Sequence, residues 1–162
     1  MDILKKSPFE LCQISGFGFL RVDAIVQKNG GDLRAPMRIK GALFWALEDS
    51  KGKNGHLFLT SEALQKEALQ LLNAKIPIPS LRLHAQEVSD VLEDMILHGE
   101  VVSVKGDIYL PRVFAQEDET ARRIAMRVVE PPAPEKIEQI LEQVKREIGL
   151  ALSSKQEAAV YA

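Results

Sequence analysis

Glycine and proline cut this chain into short pieces, and that punctuation limits the fold more than any other feature. Gly16 and Gly18 lie one residue apart, and Asn29-Gly30-Gly31 follows a short amphipathic stretch. Lys51-Gly52-Lys53-Asn54-Gly55 and Ile76-Pro77-Ile78-Pro79 interrupt the middle. Gly99, Gly106 and Glu130-Pro131-Pro132-Ala133-Pro134 divide the remainder. Glycine adopts backbone conformations that other residues avoid, and proline stops helices and central strands. No apolar run approaches the length of a membrane span. There is no internal repeat and no low-complexity tract. A chain divided in this way is expected to fold as short helices with a small hairpin.

Hydrophobic spacing assigns each piece. Phe9, Leu11, Cys12 and Ile14 lead into Ser15-Gly16-Phe17-Gly18, and Val22, Ile25 and Val26 follow. This reads as helix, tight hairpin, helix, with Asn29-Gly30-Gly31 as the stop. Pro36 suits a first helical turn, and Ile39, Ala42, Leu43, Ala46 and Leu47 repeat at helical spacing. The 51–55 cluster reads as a turn and His56–Leu59 as a short strand. Thr60 or Ser61 then caps a helix carrying Leu64, Ala68, Leu71 and Leu72. The Ile76–Pro79 run is a linker. Val88, Val91, Leu92, Met95 and Ile96 mark a helix over 85–98, ended by Gly99. Glu100–Val104 and Ile108–Pro111 read as a β-hairpin around Lys105-Gly106-Asp107. Helix, short strand, helix, helix, hairpin is the winged-helix plan, a helix-turn-helix variant with a β-wing. Phe114, Ala121, Ile124, Ala125 and Val128 place another helix over 114–129, with Glu117, Asp118 and Glu119 as its acidic start. Ile137, Ile140, Leu141, Val144 and Ile148 mark the last helix, which Gly149 terminates.

At 162 residues the chain suits one ordinary domain or two small ones. Its average apolar content supports a modest core. Lys5 and Lys6 follow Ile3 and Leu4 at once, which is not a secretory signal pattern. Cys12, the single cysteine, has no internal disulfide partner and no His/Cys cluster, so it is expected to be a small buried residue in a cytoplasmic protein. His56, His84 and His98 are scattered and lack metal-ligand spacing. No Ser/His/Asp or Cys/His arrangement is legible, so no catalytic residue and no metal ligand is assigned. The net charge of −2 does not by itself announce a nucleic-acid binder. Residues 1–55 hold nine Lys/Arg against six Asp/Glu, whereas residues 56–135 hold eight against thirteen. The basic bias therefore lies towards the N-terminus.

Several motifs, taken in order, resemble the N-terminal region of RecD-like (RecD/TraA-type) ATP-dependent DNA helicases. Ile14-Ser-Gly-Phe-Gly-Phe19 resembles the family's helix-hairpin-helix turn. Arg38-Ile-Lys-Gly-Ala-Leu-Phe-Trp-Ala-Leu47 and Gly55-His-Leu-Phe-Leu59 resemble the entry into its winged-helix domain, and Gly106-Asp-Ile-Tyr-Leu-Pro-Arg112 the wing's return strand. Leu152, Ser153, Gln156, Ala159 and Val160 match the family's Leu-Ser-x-x-Gln-x-x-Ala-Val element, which precedes the phosphate loop. No Gly-x-x-x-x-Gly-Lys-[Ser/Thr] run is present: from Gly149, Ser154 replaces the second glycine and Gln156 follows Lys155.

The resemblance implies a mainly α fold with a small β-wing. It divides into a helix-hairpin-helix segment over 1–33, a winged-helix domain over 34–113, a helical connector over 114–150 and the start of a truncated motor over 151–162. It implies a non-catalytic accessory region of a superfamily 1 helicase, acting in DNA repair and recombination, that handles DNA and docks the motor. The parent would use ATP and Mg to unwind DNA 5′ to 3′, with Gln156 contacting the adenine; this piece needs no cofactor. The expected partners are single-stranded or tailed DNA, the missing motor domains and another protein, with no membrane.

The expected DNA contacts are Gly16, Phe17, Gly18, Arg21, Lys28, Arg38 and Lys105. Helix-hairpin-helix turns present backbone N–H groups that bind phosphate without reading sequence. The competing reading is that the hairpin only packs helices. The helix over 85–98 carries Glu87, Asp90, Glu93 and Asp94 and no Lys or Arg, which argues against entry into the major groove. It points instead to packing against the motor or binding a protein. Phe44 and Trp45 either stack on bases or pack in the core. Arg34, Arg38, Lys40, Lys51 and Lys53 form a sequence-local basic cluster that either tracks the DNA backbone or is a solvated face. An unrelated winged-helix regulator is the remaining alternative.

Overall fold

The computed structural model describes residues 8–13, 17–127, 134–149 and 151–161. The chain divides into two units, Met1–Glu119 and Thr120–Ala162. The first opens with a 3₁₀ turn, Pro8–Gln13, followed by α1 (Phe19–Lys28), α2 (Pro36–Asn54), β1 (Phe58–Thr60), α3 (Ser61–Asn73) and α4 (Ala85–Leu97). Strands β2 (Val102–Val104) and β3 (Asp107–Tyr109) form a hairpin, and α5 (Pro111–Ala125) follows. Among the described residues the fold is mainly helical with one small antiparallel sheet of order β1-β3-β2.

Local chemistry sets most boundaries. Pro36 stands at the first turn of α2, where its missing N–H costs nothing. The Thr60 hydroxyl accepts a hydrogen bond from the Ala63 N–H and caps α3. Two helices end in the same double-bonded cap. In α1, Gly30 takes φ 78° while Gly31 N–H reaches the Val26 carbonyl and Gly30 N–H that of Gln27. In α4, Gly99 takes φ 68° with matching bonds from Glu100 to Met95 and from Gly99 to Ile96. The β2–β3 connection is the two-residue turn Lys105-Gly106, at φ 54° and 93°, a pair of left-handed backbone conformations whose turn matches the right-handed twist of the strands. Register follows: Val104 pairs with Asp107 and Val102 with Tyr109, which also pairs with Phe58 of β1.

The core uses the expected periodicity. Ile39, Ala42, Leu43, Ala46 and Leu47 of α2 are buried against Leu64, Ala68 and Leu72 of α3 and Val88, Leu92 and Met95 of α4. Phe19 and Val22 of α1, with Val101, Ile108 and Val113, complete it. Each fully buried Leu or Phe contributes roughly 1.5–3 kcal/mol over an exposed one. Helix α2 is central and touches the 3₁₀ turn, α1, β1, α3 and α4. Gly41 is what admits the 3₁₀ turn, because a Cβ there would lie 2.7 Å from Cγ of Phe9. Phe9 stacks on Phe19 with ring centroids 5.6 Å apart.

Several expectations need correction. The piece before the hairpin is a 3₁₀ turn rather than a helix, and Ile14, Ser15 and Gly16 lie outside the described residues. The 51–55 cluster is no turn: α2 runs to Asn54 and stops only at Gly55, at φ 71°. Lys51–Glu48 and Lys53–Asp49 pairs, at helical spacing, support the extra turn through the exposed Gly52. Pro111 begins α5 instead of ending a strand, which leaves Glu117, Asp118 and Glu119 past its first turn. They are therefore not the acidic start of the helix. Val128 and Glu130 to Ala133 lie outside the described residues.

The second unit holds the end of α5, α6 (Pro134–Ile148) and α7 (Ser154–Val160). Ile137 and Leu141 of α6 are half-buried, whereas Ile140 and Val144 are exposed. Lys145 joins α6 to α7 through Glu157, and it also pairs with Glu142.

Candidate nucleic-acid interface

Helix α1 separates its two faces sharply. Phe19, Val22 and Asp23 are buried, whereas Arg21, Ile25 and Lys28 are exposed on the outer face. The N-cap is Gly18, in extended conformation, which supplies no side-chain acceptor to the helix start. Its carbonyl accepts from the Arg21 and Val22 N–H groups, at 3.0 and 3.3 Å. The first N–H groups of α1 therefore depend on acceptors from outside the helix. Phe17 is exposed beside them. Gly18 sits against Trp45, where a Cβ would lie 3.3 Å from Cζ2. Gly16 lies outside the described residues.

Arg38 does not join this surface. It is 1% exposed, and its guanidinium grips Asp23 at two points, Nε to Oδ1 at 2.7 Å and Nη2 to Oδ2 at 2.9 Å. It also donates to the carbonyls of Leu33 (2.9 Å) and Leu72 (2.8 Å). Gln27 donates to Asp23 as well. With its donors engaged inside the protein, Arg38 has no face left for phosphate, and its expected DNA contact is corrected to a structural one. The signal for its partner lay in the sequence: Asp23 falls within the apolar stripe Phe19, Val22, Val26.

The rest of the basic cluster is neutralised. Arg34 pairs with Glu87 at 2.8 Å, Lys40 with Glu100 at 2.6 Å and with Asp94 at 3.1 Å, Lys51 with Glu48 and Lys53 with Asp49. Arg112 pairs with Glu48. The hydrogen bond to Glu100 leads in raising the Lys40 pKa above its ordinary value. Glu87 is held below the usual carboxylate range, first by the His84 backbone N–H and then by Arg34. Asp94 is likewise lowered, first by Lys40. Five sequence-local cations are thus matched by carboxylates, several of them distant in sequence.

Half of the acidic helix is used in the same pairs. Glu87 and Asp94 of α4 face Arg34 and Lys40, and Asp94 also meets His98 at 3.1 Å. Asp90 and Glu93 have no cationic partner among the described residues, and Asp90 accepts only from Gln86. That outer face repels phosphate.

Phe44 and Trp45 are half-buried against the core. They also line a groove of about 750 Å³ with Phe9, Met37, Leu110 and Pro111. Cys12, on the same groove, has its thiol pushed up to about 11, first by burial and then by the Asp23 charge. Lys105 is exposed at the hairpin tip. Gln156 is exposed and reciprocally capped with Ser153: its Oε1 accepts the Ser153 N–H at 2.9 Å, and Ser153 Oγ accepts the Gln156 N–H at 3.4 Å. Among the described residues no group of His, Cys, Asp or Glu is arranged to hold a metal ion. None of their helices is long and apolar enough to cross a membrane.

The 3₁₀ turn, α1 and α2 fall within a known module. Residues 1–58 match the model of the ATP-dependent RecD2 DNA helicase HHH domain. Over 137 residues, 82% of this chain, the sequence is 30% identical to the ATP-dependent RecD2 DNA helicase of Deinococcus radiodurans. This is a RecD-like N-terminal region. The chain spans 19% of the length of that RecD2 relative. Sequence reasoning found the hairpin of this RecD-like region but missed Asp23, and it missed Lys75, whose Nζ lies 3.5 Å from the Leu20 carbonyl in the first turn of α1.

Proposed function

We propose that this region is the DNA-handling accessory part of a RecD-like helicase and that it grips the DNA backbone without reading sequence. The observation that carries the reading is the start of α1. An N-cap with no side-chain acceptor, an exposed Phe17 and an exposed Arg21 lie together inside the stretch that matches a helicase HHH domain. Helix N-termini attract phosphate through N–H groups and the helix dipole. Lys28 extends the positive face two turns along, and Lys105 stands at the hairpin tip.

The order α2, β1, α3, α4, β2–β3, with sheet order β1-β3-β2, supports a winged-helix reading of residues 34–113. In that reading α4 does not enter a groove, because Asp90 and Glu93 face outwards. It serves as a docking face instead, which Leu97, 82% exposed, also favours. Beyond residue 162 we place the motor, with its ATP and Mg, driving 5′ to 3′ unwinding. Nothing supports the unrelated-regulator reading beside the RecD-like match.

The test is a titration of fluorescein-labelled duplexes carrying a 5′ single-stranded tail, in two unrelated sequences and at two salt concentrations. Binding is expected to be equal for the two sequences and to weaken steeply with salt. A clear preference for one duplex sequence, or no binding at low salt, contradicts the reading.

A further inference from the structure

The charge pairing decides where positive charge remains on the Met1–Glu119 unit. Arg34, Arg38, Lys40, Lys51, Lys53 and Arg112 are each joined to a carboxylate. Among the described residues, Lys28, Lys66, Lys75, Arg82 and Lys105 carry no carboxylate partner. Arg82 is tied to the Ile76 carbonyl at 3.1 Å, and Lys66 stands on the exposed side of α3. Lys75 differs from these. It follows the end of α3, and its ammonium leans on the first turn of α1 at the Leu20 carbonyl, across 55 positions of sequence. That turn begins at Gly18 and carries Arg21.

We infer that Lys75 is a further phosphate-contact residue of the hairpin surface, adding a fixed positive charge beside the start of α1. The inference rests on the functional reading above and names a residue of the same surface that the sequence keeps far from the hairpin. Two observations place the end of α3 there independently of the lysine. Gly18 packs on Trp45, and Trp45 shares a groove of about 460 Å³ with Leu71 and Ala74. Asp49 and Glu67 line that groove too, so it is the wrong path for a polyanion. Those carboxylates direct a strand across Phe17, Arg21 and Lys75 instead. A purely structural reading also exists: a lysine after a helix end favours the helix dipole. That role would change stability and leave the salt response of binding untouched.

The experiment is fluorescence anisotropy of a labelled single-stranded oligonucleotide with the full 162-residue chain, over a series of salt concentrations. Wild type is compared with Lys75→Ala, Lys75→Arg and Lys66→Ala, and thermal melts establish that each is folded. For a single strand, loss of one phosphate contact lowers the slope of log K against log salt by about 0.7. Lys75→Ala is expected to show that loss and weaker binding, Lys75→Arg to keep the wild-type slope, and Lys66→Ala to match wild type. Wild-type binding with an unchanged slope in Lys75→Ala overturns this inference alone. Absence of wild-type binding at low salt overturns the functional reading and this inference with it. If Lys75→Ala fails to fold, Lys75→Gln supplies the same comparison.

Discussion

Asp23 and Arg38 close a two-pronged ion pair inside the protein, with side chains only 5% and 1% exposed. Through it, α1, the Leu33 loop, α2 and the end of α3 meet at one guanidinium. Removing one partner of such a pair leaves an uncompensated buried charge and costs about 3–5 kcal/mol. Asp23→Ala and Arg38→Ala are each expected to lower stability by that amount in urea unfolding. An apolar double variant, Asp23→Leu with Arg38→Met, is expected to lose much less than the sum of the two.

Gly41 is expected to resist even alanine. The added Cβ would press into Phe9 at Cγ and Cβ, 2.7 and 2.8 Å away, and push the 3₁₀ turn from α2. Overpacking of this kind costs about 1–3 kcal/mol. A thermal melt of Gly41→Ala checks it, with Gly52→Ala as the control, because nothing lies within 4 Å of a Cβ at Gly52.

These two sites mark what could be read from the sequence and what could not. Helix ends set by local chemistry were legible: Pro36, Thr60, Gly30 and Gly99 do what their residue types dictate. The end of α2 was misread because a single helical glycine costs only about 1 kcal/mol, which two lysine–carboxylate pairs and a buried face outweigh. The sequence left the basic cluster open between a DNA-tracking surface and a solvated face, because counting along the chain cannot see Glu87 and Glu100 arriving from α4 and the turn beyond it. Gly18 and Arg21 are neighbours along the chain at the start of α1, whereas Lys75 comes near that turn only through the packing of α3 on α2.

Acid should weaken the fold through its lowered carboxylates, Glu48 and Glu87 foremost, with Asp94 beside them. Glu48 and Glu87 are held below their ordinary 4.5. Burial pulls Glu48 upwards, and Lys51 and Arg112 outweigh it; the His84 N–H leads for Glu87. A lowered pKa contributes stability that is complete above the unfolded value and disappears as pH falls through the folded one. Stability is expected to hold from neutral pH to about 5 and to decline below about 4.5. Lys40 and Tyr109 act at the other end. The Glu100 hydrogen bond leads in raising Lys40, and burial followed by Glu117 raises Tyr109. Their contributions are complete below their ordinary values and disappear as pH rises through the raised ones. Urea melts across pH, with Glu87→Gln expected to flatten the acid limb, check both signs.

Cys12 is expected to be a slow thiol. With its pKa near 11, little thiolate exists at neutral pH, and the thiolate is the nucleophile. Its rate with a disulfide reagent should climb only at strongly alkaline pH. Rapid reaction at pH 7.5 in the folded chain would show an environment other than the half-buried one beside Asp23.

The central claim is that the start of α1 meets the DNA backbone while α4 stays away from it. The most direct measurement is a ¹H–¹⁵N NMR titration of the 18.0 kDa chain with a single-stranded oligonucleotide at low salt. The account predicts shifts concentrated at Phe17, Gly18, Phe19, Leu20 and Arg21 and at Lys75, with the amides of α4 unmoved. Shifts centred on Gln86, Asp90 and Glu93 with a silent hairpin would contradict it.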